Sequence, residues 1–337
     1  MTVQTPAAPA NSESRLRALR DWLTGPLALD VRSLAPASSD ASFRRYYRVL
    51  HPGGSLIAMD APPAYEDSRP FVAISSMLHG IGLNVPEVLE ADLEQGFLLL
   101  TDLGDRRYLD VLDAANVERL YADALDALEL LQVRAPRDDS LPAYDRDLLL
   151  REMQLFPDWL LARHLGIEPD ADLRASFALL ADAALEQPRV CVHRDYHSRN
   201  LMVMEARNPG VLDFQDAVVG PITYDLVSLL RDCYIAWPRA QVEAWALAYL
   251  QRPAIRALVG EMDEAQWLRW FDLMGIQRHL KASGIFARLW HRDGKRGYLG
   301  DVPRTLRYIV EAAAPYPELA PLQQLVQGTV LPRLEAD

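Results

Sequence analysis

Residues 190–203 read VCVHRDYHSRNLMV, and past the turn Asn208-Pro209-Gly210 the chain continues VLDFQDAVVGPITYDLVSLL over 211–230. Short apolar pieces broken by a polar loop and a turn predict a small β-island. If LMVM (201–204) and VLD (211–213) pair as an antiparallel hairpin around that turn, Asn200 and Asp213 stand at the same open end. Directly opposed residues have Cα atoms about 4.5 to 5.5 Å apart. An amide oxygen and a carboxylate so placed can share one hard divalent cation, and Mg²⁺ takes oxygen ligands together with substrate phosphates. Asp195, in the loop before Asn200, would face the same phosphate and accept a proton from a hydroxyl attacking phosphorus.

This is the H-R-D-x-x-x-x-N spacing, with a metal-binding Asp downstream, through which kinases position a hydroxyl and Mg²⁺. In that arrangement His193 is a structural residue that fixes the loop. Two other readings compete. His193, Asp195 and His197 at alternate positions would suit a Zn²⁺ or Fe hydrolase centre, although His51, His79, His164, His279 and His291 are scattered singly and give no second cluster. Asp195 and Asn200 would also serve as plain loop caps.

Around the island the chain is mainly helical. Apolar residues recur at helical spacing over 109–132, 145–165, 170–187, 222–236, 239–252 and 264–290. Upstream, RRYYRVL (44–50) and SLIAM (55–59) joined by HPGG (51–54) read as one hairpin. PEVLEAD (86–92) and GFLLLTD (96–102) read as a second, with the helix SRPFVAISSMLHG (68–80) between them. A first helix is expected in SESRLRALRDWL (12–23), and residues 1–11 read as a mobile tail. The class is therefore α+β: a small antiparallel β-lobe over 12–102, then a larger helical lobe over 103–337 that holds the β-island.

Composition narrows the partners. Lys plus Arg number 35 against 47 Asp plus Glu, for a net charge of −12, so the surface as a whole does not attract a nucleic-acid backbone. No apolar run is long enough for a spanning helix, and the N-terminus lacks the pattern of a signal peptide, so a cytoplasmic protein with no membrane partner is expected. Cys191 and Cys233 sit in apolar runs and read as buried free thiols. No obligate protein partner is implied.

With these residues in view the chain resembles the aminoglycoside phosphotransferase and choline kinase family, small-molecule kinases with a protein-kinase-like bilobal fold, over about residues 30–300. The resemblance implies ATP and Mg²⁺ as cofactors, Asp195 as the catalytic carboxylate, and Asn200 and Asp213 as Mg²⁺ ligands. It gives Asp225 a structural role bracing the loop, and makes LLLTDLGD (98–105) a hinge in which Thr101, Asp102 and Leu103 meet adenine. SSDASFRRYYRV (38–49) and GIQRHLKASGIFARL (275–289) are similar to a bacterial branch that phosphorylates amino sugars of the cell wall, N-acetylmuramate and N-acetylglucosamine, at the anomeric hydroxyl. That implies a small sugar as substrate. Tyr196, His197 and Arg278, in the loop or the matching C-terminal stretch, are the expected sugar contacts. The alternatives are a kinase of another hydroxyl compound, of aminoglycoside or choline type, and a binding-only pseudokinase.

One departure from the kinase pattern is visible in composition alone. Lys281 and Lys295 are the only lysines, so the Lys that kinases carry on the third strand cannot exist in the β-lobe, and SRPFVAISSMLHG has no Glu to pair with it. Ser39 with Ser38 and Ser42, and Arg44 and Arg45 with Arg48, occupy the position of the usual glycine-rich loop. Arginine binds phosphate bidentately, so Arg44 or Arg45 is expected to contact the nucleotide. The basic stretch over 288–308 reads as a solvated face, while part of it, or Arg278 and Lys281 just upstream, is the candidate for attracting an anionic substrate.

Overall fold

The computed structural model describes residues 12–39, 43–168 and 171–336; the expected tail at 1–11 and Ser42 lie outside the described residues, as do the side chains of Ser38 and Ser39. The chain divides into two units, Met1–Gly80 with Asn84–Gly104, and Ile81–Leu83 with Asp105–Asp337.

The first unit is one antiparallel sheet of five strands in the order β1-β2-β3-β5-β4, formed by β1 (Ser33–Ser39), β2 (Arg45–His51), β3 (Gly54–Asp60), β4 (Val88–Asp92) and β5 (Phe97–Thr101). Both expected hairpins are present, and His51 pairs with Gly54, which takes a left-handed φ of 128°. Because successive strand side chains alternate faces, Tyr47 and Val49 of β2, Ala58 of β3 and Phe97 and Leu99 of β5 share one side. There they bury Leu19, Trp22 and Leu23 of α1 (Ser12–Thr24). A fully buried side chain of this size contributes about 1.5 to 3 kcal/mol. Helix α2 (Arg69–Gly80) follows β3.

Strand β1 was not anticipated: Pro36 and a run of small residues give it no apolar alternation. It lies at the sheet edge, pairing only with β2 through a register shift between Pro36 and Ser38, and an edge is where a strand tolerates Pro. Met59, beside the place of the missing Lys, is fully buried. The next residue, Asp60, is also fully buried and is held by the Arg15 guanidinium, which also bonds the Gln95 carbonyl at 2.7 Å and lies over Phe97.

The second unit contains α3 (Tyr108–Val111), α4 (Val117–Arg134), α5 (Arg146–Met153), a wide helical stretch Phe156–Leu165, α6 (Ala171–Leu185), α7 (Tyr224–Leu230), α8 (Arg239–Leu250), α9 (Pro253–Val259), α10 (Glu264–Asp293) and α11 (Val302–Ala313). Two short ribbons sit among them: β6 (Arg189–Val192) pairs with β9 (Val218–Pro221), and β7 (Leu201–Met202) pairs with β8 (Gly210–Val211). Three expected helices are shorter or divided. The 145–165 helix changes to i→i+5 bonding around Pro157, which has no N–H to give. The 222–236 helix stops at Leu230, where the Arg231 carbonyl meets the His279 ring at 2.8 Å. The 109–132 helix is split by Asp113, whose carboxylate accepts from the Ala115 and Asn116 amides.

Helix α10, 30 residues long, is capped at its start by Asp263, which accepts from the Gln266 amide, and at its end by left-handed Gly294. At Gly284 it meets the wide helical stretch backbone to backbone. A Cβ there would lie 2.3 Å from the Leu155 carbonyl carbon and 2.6 Å from the Phe156 nitrogen. Gly284→Ala is therefore expected to destabilise the protein by about 1 to 3 kcal/mol through overpacking. A thermal melt checks this, and an unchanged Tm would mean that the wide helix moves aside freely.

Candidate active site

The site is built on the loop between β6 and β7. The β7–β8 ribbon pairs Leu201 with Val211, and the Leu212 amide donates to the Asn200 carbonyl at 2.9 Å. This register sets Asn200 opposite Leu212 and places Asp213 one residue further, at the open end. Asn200 Nδ2 lies 3.4 Å from Asp213 Oδ2 and donates to the Asp195 carbonyl at 3.0 Å. The hairpin expected from the sequence thus brings Asp195, Asn200 and Asp213 together. Arg194 and Asp213 have left-handed backbones, with φ of 76° and 65°. Such conformations cost of order 1–3 kcal/mol for a residue with a side chain and persist only where the surroundings enforce them.

Two fully buried carboxylates hold the loop from behind, one of them at Arg194. Asp225, at the start of α7, accepts from the amides of His193 at 2.6 Å and Arg194 at 3.0 Å. Burial pushes its carboxyl up to about 7, against the pull of those two amides. Asp232, just past α7, accepts from the amides of Ser198 at 2.8 Å and Tyr234 at 2.9 Å. The side chain of Arg194 is gripped by Glu152 of α5, which also pairs with Lys281 of α10 at 3.0 Å and takes the Tyr144 hydroxyl. Lys281 also donates to the Tyr224 hydroxyl at 3.0 Å.

The Asp195 side chain is 41% exposed. Its partly covered setting pushes the carboxyl up, but Lys281 and Arg278, joined by His197 and His193 once acid protonates them, outweigh that and hold it below the usual aspartate range. It is ionised at neutral pH. His193 is driven down to about 4 by burial and stays neutral; its Nδ1 accepts the Asp195 amide at 3.2 Å. A bond in that place does not suit a metal ligand, and among the described residues no three His, Cys, Asp or Glu side chains converge on a metal position.

The expected sugar contacts divide. His197 is 8% exposed, stands edge-on to Tyr234 and is lowered by burial. Arg278 is buried, with Nη1 3.4 Å from Cys233 Sγ. Tyr196 is fully buried and gives its hydroxyl to the Ala124 carbonyl at 2.7 Å, so its ring packs beneath the loop rather than on its open face.

The nucleotide candidates all lie in the first unit. Ser39 ends β1 opposite Arg45. Arg44 pairs with Glu66 at 3.2 Å. Arg45 shares the strand face of Tyr47 and Val49, the side covered by α1, and its Nη1 is buried without a hydrogen-bond partner among the described residues. Thr101 is tied to Glu87 through both its amide and its hydroxyl. Asp102 holds Arg48 at 2.6 Å and the Gly104 amide at 2.9 Å, so its carboxylate is fully engaged while its backbone, with that of Leu103, continues past the sheet. Glu152, Asp232 and the surroundings of Arg199 escaped the sequence reading. A lone acid on a helix carries no local mark of the partner it will meet.

For a divalent cation the donor set is apt. Asn200 anchors its amide nitrogen on Asp195, which leaves Oδ1 as a hard donor, and Asp213 offers a carboxylate steadied by Gln215 Nε2 at 2.7 Å. Two protein oxygens, with the remaining positions left to phosphate and water, match the habit of Mg²⁺.

An ionised carboxylate beside two hard oxygen donors, on a loop gripped from behind, is an arrangement suited to phosphoryl transfer. The chain belongs to the phosphotransferase enzyme family, whose sequence model matches residues 33–269. It is 52% identical over 330 residues to the N-acetylmuramate/N-acetylglucosamine kinase of Pseudomonas aeruginosa, covering 94% of this chain and 97% of that protein. With the kinase of the same name from Neisseria meningitidis it shares 41% identity over 317 residues, covering 91% and 94%. Among solved structures it is similar to a choline kinase of Streptococcus pneumoniae, with a TM-score of 0.62 at 14% identity over 90% of this chain and 100% of that one. An ethanolamine kinase of Plasmodium vivax gives 0.64 at 12% identity over 93% and 91%. These distant likenesses carry the fold, and the expected α+β class holds. No helix among the described residues is long and apolar enough to cross a membrane.

Proposed function

We propose that the chain is an ATP- and Mg²⁺-dependent kinase that phosphorylates the anomeric hydroxyl of N-acetylmuramate and N-acetylglucosamine. The observation that carries this is the 52% identity, over nearly the whole chain, to a kinase of that name, in a protein whose Asp195, Asn200 and Asp213 stand together. Asp195 orients the sugar C1 hydroxyl toward the γ-phosphorus and accepts its proton. An anomeric hydroxyl is more acidic than an ordinary alcohol, so modest base assistance suffices and alignment supplies most of the rate. Asn200 Oδ1 and the Asp213 carboxylate would hold Mg²⁺, which neutralises phosphate charge when bound. Lys281 and Arg278 keep Asp195 ionised. On the nucleotide side, the backbone of Asp102 and Leu103 is assigned to adenine, with Ser39, Arg44, Arg45 and Thr101 as further contacts.

The test is direct. Purified protein with ATP and Mg²⁺ is expected to convert both sugars to monophosphates whose phosphorus-NMR coupling places phosphate on C1. Phosphate on any other oxygen, or turnover of choline or an aminoglycoside in place of both sugars, would overturn the assignment.

A further inference from the structure

Arg199 stands between Ser198, whose amide is pinned by Asp232, and Asn200, whose amide bonds the His197 carbonyl at 2.9 Å. Its guanidinium lies over the Tyr234 ring at 4.0 Å and faces the Tyr298 ring at 5.2 Å. Those rings are themselves held. Tyr234 is tied to Asp232 through its amide and meets the edge of His197 at 5.4 Å, and Tyr298 stacks on Phe286 at 5.7 Å.

What the cation lacks is an anion. Arg194 has Glu152, and Arg231 has Asp272 at 2.6 Å. Arg199 forms no ion pair or hydrogen bond among the described residues, and its Nε is buried without a partner. Asp110 senses its charge but is already held by Arg107 at 2.7 and 2.9 Å. Leaving a buried donor unsatisfied is unfavourable. Clamping a guanidinium between aromatic faces keeps its planar fork rigid and weakly hydrated, the state in which it binds a carboxylate bidentately.

We propose that Arg199, held by Tyr234 and Tyr298 within the catalytic loop, recognises a carboxylate on the acceptor sugar and sets the preference for the acidic over the neutral substrate. The inference rests on the proposed function, under which the lactyl carboxylate is what distinguishes N-acetylmuramate from N-acetylglucosamine. Arg278 and Lys281, two of the cations expected from the sequence to attract an anionic substrate, are instead buried on Cys233, Glu152 and Tyr224.

The experiment compares Arg199→Gln and Arg199→Lys with the wild type, using both sugars and saturating ATP, together with the KM for ATP and a thermal melt. Arg199→Gln is expected to lower the ratio of kcat/KM for N-acetylmuramate to that for N-acetylglucosamine by about 10- to 100-fold, the scale of a lost charged hydrogen-bond pair. Arg199→Lys, which retains the charge without the fork, should restore part of that ratio. An unchanged ratio, with both sugars falling together or with the KM for ATP rising, overturns the inference alone and makes Arg199 a structural or nucleotide residue. Wild-type protein that turns over neither sugar overturns the proposed function and the inference with it.

Discussion

Asp195→Asn is expected to lower kcat for sugar phosphorylation by about 10²- to 10⁴-fold, the range of a positioned general base, with nucleotide affinity near that of the wild type. The substitution is clean because the loop does not depend on the Asp195 carboxylate for its shape. The Asp195 amide donates to His193, and its carbonyl accepts from Asn200 and from the His197 amide. All three bonds survive in the variant. Since Lys281 and Arg278, joined by His197 and His193 once acid protonates them, hold the native carboxyl below the usual aspartate range, the base is ionised throughout neutral pH and the deficit should be flat there. Steady-state kinetics with a parallel nucleotide titration reads both quantities. Turnover at the wild-type rate would remove Asp195 from the chemistry.

Glu152→Gln is expected to be the most destabilising single change in the second unit. It would strip the shared carboxylate from Arg194 and Lys281, and breaking a buried pair from one side typically costs about 3 to 5 kcal/mol. For a domain of this size that corresponds to a Tm lower by about 10 °C. The pH dependence gives a second readout. Burial pushes the Glu152 carboxyl up, but Lys281 and Arg194 more than reverse this and leave it depressed in the folded protein. A depressed carboxyl contributes stability above its unfolded value, about 4.3 for glutamate, and that contribution fades as pH falls through the folded value. The gap between wild type and variant should therefore be full at neutral pH and narrow in acid. A Tm within two degrees or so of wild type would show that the two cations find other partners.

Much of this was legible in the sequence. The hairpin around Asn208-Pro209-Gly210 fixes a register, and that register sets Asn200 opposite Leu212 with Asp213 next to it at the open end. The absence of a nucleotide lysine followed from counting two lysines and noting where they fall. The parts that were not legible are those made by distant segments meeting. Glu152 reaches Arg194 across 42 residues of chain, and nothing around Glu152 marks it from other helix acids. Asp232 lies in a stretch that reads as helix, yet the turn beyond Leu230 is what frees its carboxylate for Ser198. Strand β1 was hidden because Pro36 argues against a strand everywhere except at an edge, and edge position is a property of the whole sheet. Tyr196 was misplaced for a simpler reason: neighbours along a loop point in different directions, and only the packing beneath shows which one faces inward.

The two carboxylates behind the catalytic loop, Asp225 and Asp232, take hold of it near opposite ends, at residues 193–194 and at 198. Ordering a loop carries an entropy cost of roughly 1–2 kcal/mol for each residue fixed. Here that cost falls on folding, once in the life of the molecule, and is not met again at each encounter with substrate. Under the proposed mechanism, an acceptor arriving at Asp195 finds its base already aimed, and the binding free energy it brings is left for aligning its own hydroxyl.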